Sequence, residues 1–186
     1  MRRIAITASA SGNGKTTLGR EVARRLDVPF VELDAIAHGP SWAELPADEL
    51  RARMAPIVAA DAWVIDGTYR GKLGDLVLGS ADVVVWLDLP IRVWLPRLVR
   101  RSIRRIVRNE ELWHGNRETW RGAFGGRESL VGMAVRSHFS RRRRYPTLLA
   151  PFPVARLQTR QAVEDWLASI DEFRPVQASE GKRRKR

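Results

Sequence analysis

The 186-residue sequence predicts an α/β fold built on a parallel sheet, and three observations carry that expectation. Short apolar runs at 3–7 (RIAIT), 62–65 (AWVI) and 82–87 (DVVVWL) alternate with stretches whose apolar residues recur every three or four positions, as in strands joined by amphipathic helices. The 82–87 run is continuous and β-branched, the signature of a strand covered on both faces. Between the first run and the first helical stretch lies a Gly/Ser-rich turn, SASGNGKTT, at 9–17.

In chain order, residues 15–26 read as a helix because Leu18, Val22 and Leu26 fall on one face, and 28–33 as a second short strand. Residues 46–60 carry Leu50, Met54, Ile57 and Val58 at helical spacing, with Pro56 expected to end or kink the helix. The third strand, 62–65, closes on Asp66-Gly67. A long helix is expected over 91–108 with Leu95, Leu98, Ser102 and Ile106 inward, followed by a polar, Gly-rich loop or lid at 109–127. Residues 128–144 read as helix, 153–157 as a last strand and 160–170 as a last helix with Val163, Trp166, Leu167 and Ile170 inward. Residues 174–186 have almost no apolar content and are expected to be disordered, which leaves one domain at 1–173.

Composition narrows the function classes. The chain has no cysteine, so disulfides and thiolate metal sites are excluded. The apolar run of the N-terminus is too short for a signal peptide or a membrane span, which makes cytoplasmic the expectation. The net charge of +12 is unevenly placed: residues 92–144 hold 15 arginines, no lysine and 4 acids, whereas residues 1–91 hold 10 basic and 12 acidic residues. Arginine presents a planar fork of donors matched to phosphate oxygens, so a phosphate-rich partner is expected. A high-GC genome that spells lysine as arginine accounts for part of the bias, since the chain has only four lysines.

The turn at 9–17 matches G-x-x-x-x-G-K-[ST] except at its first position, where Ser9 stands for glycine. Glycines let backbone N–H groups turn inward around a phosphate, and the following helix adds the positive end of its dipole. Ser11, Gly12, Asn13, Gly14, Lys15, Thr16 and Thr17 are therefore the expected phosphate-binding set. Lys15 is to reach the β and γ phosphates of ATP, and the Thr16 hydroxyl is to ligate Mg²⁺.

With this loop, the segments ELDAIAHGPSW (32–42), WVIDGTYR (63–70), VVVWLDLP (83–90) and RRSIRR with EELWHGNRE (100–118) give the chain a resemblance to the adenylate-kinase-like P-loop kinases. The last stretch is most similar to a bacterial subgroup labelled DNA topology modulation proteins. The resemblance covers about residues 1–170 and implies a P-loop NTPase fold: a five-stranded parallel sheet flanked by helices, the P-loop strand at its centre, and a short arginine-bearing lid. WVIDGTYR is similar to the D-G-F-P-R segment of nucleoside monophosphate kinases, which implies that Asp66 holds the magnesium water shell and Arg70 the acceptor's phosphate. Thr68 and Tyr69 replace Phe and Pro of that segment, so a different acceptor pocket is implied. Asp34 falls where related kinases place an acceptor-binding or base aspartate; a plain helix cap is the equal alternative. Arg97 and Arg101 resemble arginines that enter the phosphate site below the lid, and Arg127 and Arg136 resemble the pair contributed by the helix after it. His38 and Trp42 are more readily structural than catalytic, and RRRRY (141–145) is expected to be mostly solvated.

The expectation is an ATP- and Mg²⁺-dependent phosphotransferase acting on a small acceptor, first of all a nucleoside monophosphate. The alternatives are a kinase of an uncharged acceptor and a nucleotide-gated nucleic-acid-binding regulator. The KRRKR end (182–186) suits only weak, non-specific nucleic-acid contact.

Overall fold

The computed structural model describes residues 1–170, so the expected domain boundary at 173 and the basic segment 174–186 lie outside the described residues. The chain opens with β1 (Arg3–Ala8), the phosphate-loop turn and α1 (Lys15–Leu26). β2 (Phe30–Glu32) passes directly into a short helix, α2 (Leu33–Ala37), followed by α3 (Ala47–Ala59) and β3 (Trp63–Asp66). Two short helices, α4 (Arg70–Leu73) and α5 (Leu76–Ser80), lead to β4 (Val83–Leu87) and the long α6 (Ile91–Val107). Then come α7 (Trp120–Phe124), α8 (Leu130–Leu149), β5 (Val154–Leu157) and α9 (Arg160–Ile170).

All strand pairs are parallel and the order is β2-β3-β1-β4-β5, so β1 is central and delivers the phosphate loop to the middle of the sheet. The alternation of a strand explains the two apolar layers. From β1 and β4, Ala5, Val84 and Trp86 face Leu50, Met54 and Val77 on one side. Ile4, Ile6, Val85 and Leu87 face Leu18, Val22, Leu26 and Ile170 on the other. A third group, Ala10, Trp94, Leu98 and Ala134, packs α6 against α8. Because the strands are parallel, their carboxyl ends share one edge, and Ser9, Asp34, Asp66 and Asp88 follow or end four of them there.

Several expectations need correction. The second strand is shorter than expected, and Asp34 lies inside α2 rather than at the strand end; Glu32 is the N-cap, so Asp34 is not a helix cap. Pro56 does not end α3, because it sits on the exposed side, where the carbonyl it leaves unpaired faces water. α8 likewise continues through Pro146 to Leu149, beyond the expected end at 144. The segment 109–127 is not a plain loop: it holds a 3₁₀ turn, Trp113–Gly115, and α7. Among the described residues, no helix is long and apolar enough to cross a membrane.

Candidate active site

The phosphate loop needs left-handed backbone at Gly12 (φ 83°) and Gly14 (φ 96°). A Cβ at Gly12 would lie 2.8 Å from Leu98 Cβ and from the Trp94 carbonyl oxygen, so glycine there lets the loop seat on α6. A Cβ at Gly14 would meet nothing within 4 Å, so the loop's mouth is open at the N-terminus of α1. The side chain of Asn13 turns inward: its Nδ2 donates to the Ala10 carbonyl (2.9 Å) and its Oδ1 accepts from the Leu89 N–H (3.1 Å). Asn13 therefore shapes the loop with its side chain and offers the cleft its backbone. Ser11, Gly12, Thr16 and Thr17 line the cleft alongside it.

Lys15 and Thr16 converge on Asp66 at the end of β3. The Lys15 ammonium lies 3.3 Å from Asp66 Oδ1, and the Thr16 hydroxyl donates to Oδ2 (2.6 Å). Asp66 is buried, so its charge is screened little and is balanced by Lys15. A hydroxyl and a carboxylate side by side are hard oxygen donors, the type that suits Mg²⁺. Among the described residues no group of three or more His, Cys, Asp or Glu could hold a metal ion. Thr16 and Asp66 therefore fit an ion carried mainly by nucleotide phosphates and water.

The cleft of about 2280 Å³ continues from this loop past Asp34, Trp42, Arg97, Arg101 and Glu118. A single small-ligand site occupies roughly 300–1,000 Å³, so there is room for a nucleotide and an acceptor together. Half-buried Asp34 accepts a hydrogen bond from the Tyr69 hydroxyl (2.7 Å), whose oxygen is also 3.0 Å from His38 Nε2. Burial, then the Asp34 charge, pushes the Tyr69 pKa well above its ordinary value. The phenol thus stays protonated and donates its hydrogen bond to Asp34, so its oxygen is left to accept from His38 Nε2–H. Arg101 lines the cleft with its Nε buried and unpaired in hydrogen bonding. Burial, then the adjacent Arg105 cation, lowers its pKa. Arg105 itself pairs with Glu118 (2.7 Å). At the cleft's other flank, burial and then Asp66 raise the pKa of Glu32.

Two seven-residue turns of like form line the far side of the cleft. Residues 38–44 and 111–117 are each closed by an antiparallel bridge, His38 with Glu44 and Glu111 with Arg117, around a 3₁₀ turn containing a residue at positive φ. Buried Asn116 clasps them: its Oδ1 accepts from the Trp42 N–H (2.9 Å), and its Nδ2 donates to the carbonyls of Gly39 and Trp113 (both 2.9 Å). Trp42 and Trp113 meet edge to face at 6.4 Å, and His114 Nε2 lies 3.1 Å from the Ala35 carbonyl. Asn116→Ala removes the two hydrogen bonds that cross the seam and, on the kinase reading proposed below, is expected to raise ATP hydrolysis without acceptor by about tenfold, since net losses near 1 kcal/mol per bond favour the open lid and admit water. Hydrolysis measured with and without acceptor checks this; an unchanged ratio removes the clasp from lid control.

The structure separates the expected residues into two groups. Lys15, Thr16, Asp66, Asp34, Arg97 and Arg101 come together along one cleft. Arg70 does not join them: it is exposed, and its Nε donates to Asp75 (2.6 Å) because Tyr69, at φ 40°, turns the chain away into α4. Arg127 is exposed outside the cleft, and Arg136 pairs with Glu128 (3.0 Å) beside a separate shallow groove with Arg141 and Arg144. Leu130 and Met133 are the α8 residues at the cleft, and a helix turning about 100° per residue carries Arg136 about 120° away from Leu130. The four arginines of RRRRY are exposed, as expected, yet two of them also reach inward: Arg141 donates to the Ala8 carbonyl (3.0 Å) and Arg142 meets Asp88 (3.1 Å), while half-buried Tyr145 contacts Thr7 (3.3 Å). Asp88 and Asn116 escaped sequence reasoning, and Tyr69 is legible there only as a change in the acceptor pocket, not as the partner of Asp34. Only Asp88 left a signal, an aspartate ending the strongest strand beside a motif whose first glycine is missing.

No protein-family model matches the chain. Among curated proteins it is 24% identical to the shikimate kinase of Brucella canis over 123 residues, 59% of this chain and 62% of that protein, so it spans less than two thirds of that relative's length. Among solved structures it is similar to the shikimate kinase of Acinetobacter baumannii in complex with shikimate, with a TM-score of 0.56, 17% identity, and coverage of 93% of this chain and 92% of that one. A gluconokinase from Sinorhizobium meliloti 1021 gives a TM-score of 0.50 with 19% identity over 92% and 93% of the two chains. Sheet order and phosphate loop together give the chain the fold of these solved structures, with Lys15, Thr16 and Asp66 clustered at the loop.

Proposed function

We propose that this chain is an ATP-dependent kinase that transfers the γ-phosphoryl group to a hydroxyl of a small polar acceptor held at Asp34. The observation that carries the reading is the continuity of one cleft from Lys15 and Thr16 to Asp34 and Arg101. Bound Mg²⁺·ATP supplies the transferable phosphoryl group and neutralises part of its charge. Lys15 and the loop's N–H groups would hold the phosphates, and Thr16 and Asp66, which meet beside the loop, would supply oxygens toward the ion. Asp34, fixed by Tyr69, orients the acceptor hydroxyl and takes its proton. The acceptor oxygen bonds to the γ-phosphorus, the bond to the β–γ bridging oxygen breaks, and ADP leaves with that electron pair. Arg101 and Arg97 meet negative charge on the transferring group or on the acceptor, and the Asn116 clasp keeps water out.

The nucleoside monophosphate expectation rested on Arg70, which faces Asp75 instead. Relatives named for shikimate and gluconate favour a non-nucleotide acceptor. The stretch 100–118, on which the likeness to the DNA topology modulation subgroup rests, contributes Arg101, Arg105, Glu118 and half of the clasp to this cleft. The regulator alternative loses two of the arginines at 141–144 to internal contacts.

A panel of hydroxylated metabolites and nucleoside monophosphates, screened for ATP-dependent phosphorylation, tests the reading. Transfer to none of them, with ATP bound, would overturn it. Once an acceptor is known, Arg70→Ala is expected to change its KM by no more than about twofold, the range of an exposed ion pair. A large rise in KM would return Arg70 to the acceptor site.

A further inference from the structure

The one motif position that departs from the phosphate-loop consensus is Ser9, and its side chain is fully buried. Its hydroxyl accepts from the Trp86 indole N–H (2.9 Å) and donates to Asp88 Oδ1 (2.6 Å). Asp88 is also fully buried and collects donors from two further elements. Arg156 of β5 binds its Oδ2 through two nitrogens (3.0 and 2.6 Å), and Arg142 of α8 lies 3.1 Å from Oδ1. A buried carboxylate is costly unless paired and hydrogen-bonded, so this network is maintained against a large penalty.

We propose, resting on the kinase reading, that Asp88 is a positioning residue for nucleotide binding, setting the phosphate loop on the sheet and tying it to α8. The segment that carries it grips the loop twice. At the entry, the Ser9 N–H donates to the Leu87 carbonyl (3.0 Å) while its hydroxyl holds Asp88. At the crest, the Leu89 N–H donates to Asn13 (3.1 Å), which holds the Ala10 carbonyl. Glycine at position 9 would leave the Trp86 N–H buried without its acceptor and take one donor from Asp88. Serine thus serves at this position because the loop is anchored through a side chain.

The anchor also reaches the lid side of the molecule. α8 enters the cleft with Leu130 and Met133 near its start, and three turns later its Arg142 completes the Asp88 cluster. Arg141 adds a second tie, to the Ala8 carbonyl (3.0 Å). The helix that follows the lid and the loop that holds phosphate are therefore pinned to one buried anion.

Calorimetric binding of Mg²⁺·ATP to the folded protein tests this, with thermal unfolding measured in parallel. Asp88→Asn, which removes the charge that Arg142 and Arg156 meet, and Ser9→Ala are each expected to weaken binding by about tenfold, and the double variant by clearly less than the product, because both act through one network. Asp88→Asn risks misfolding, so the decisive variant is Arg142→Ala, on a side chain that is 39% exposed. It is expected to weaken Mg²⁺·ATP binding several-fold, and Arg142→Lys to restore most of it. A lower unfolding temperature with unchanged affinity, or no rescue by lysine, would overturn the proposal and leave a purely structural ion pair. Because the readout is binding, a chain that binds Mg²⁺·ATP but phosphorylates nothing would sink the kinase reading alone.

Discussion

Lys15→Ala is expected to weaken Mg²⁺·ATP binding by about a hundredfold and to reduce transfer by a thousandfold or more while the fold is kept, since charge-assisted bonds to phosphate contribute about 1.5–3 kcal/mol in binding and more as charge develops in transfer. The side chain is 24% exposed at the mouth of the loop, and the contact recorded for it is Asp66, at 3.3 Å. Asp66 keeps the Thr16 hydroxyl (2.6 Å) as a partner, which limits the structural consequence. Calorimetry with Mg²⁺·ATP on protein with a native circular dichroism spectrum decides the matter. Unchanged affinity would mean that the loop is a helix-capping turn and that the kinase reading is wrong at its base.

Asp34→Asn is expected to lower kcat by about 10²- to 10⁴-fold, the usual contribution of a positioned general base, with Mg²⁺·ATP affinity unaltered. The replacement is isosteric, and its amide oxygen can still accept from Tyr69, so the pocket keeps its shape. What it loses is the charge that orients the acceptor hydroxyl and receives its proton. Steady-state kinetics against both substrates, with calorimetric ATP binding, separate the cases. If kcat holds, Asp34 is a scaffold for Tyr69 and the base lies elsewhere; if ATP affinity falls with it, the acceptor assignment fails.

The parts of this protein legible in sequence are those whose geometry is local. The phosphate loop is nine consecutive residues between an apolar strand and an amphipathic helix, and the structure gives Gly12 and Gly14 the positive φ that their places in the motif demand. Asp66 ends the next strand of the central pair, where the register of β1 with β3 brings it to the loop. Strands and helices followed from the period of apolar residues, with errors where a proline was read as a break although its exposed side tolerates it.

Arginine roles were the least legible, because the same side chain at the same spacing can face a cleft, an acid or water. Arg101 reaches the cleft, Arg70 turns to Asp75, Arg136 turns to Glu128, and Arg142 completes a buried cluster with Asp88. By itself the sequence determined the α/β class and the strand–loop–helix of the phosphate-loop motif, since each depends on neighbours in the chain; one strand pairing then brings Asp66 to Lys15 and Thr16. The far side of the cleft and the anchor of the phosphate loop were decided only by tertiary structure. Tyr69 with Asp34 spans 35 residues, Asn116 with Trp42 spans 74, and Ser9 with Asp88 spans 79. Contacts at that separation are set by how helices and turns pack over the finished sheet edge, and no local pattern of residue types encodes which side chains will meet there.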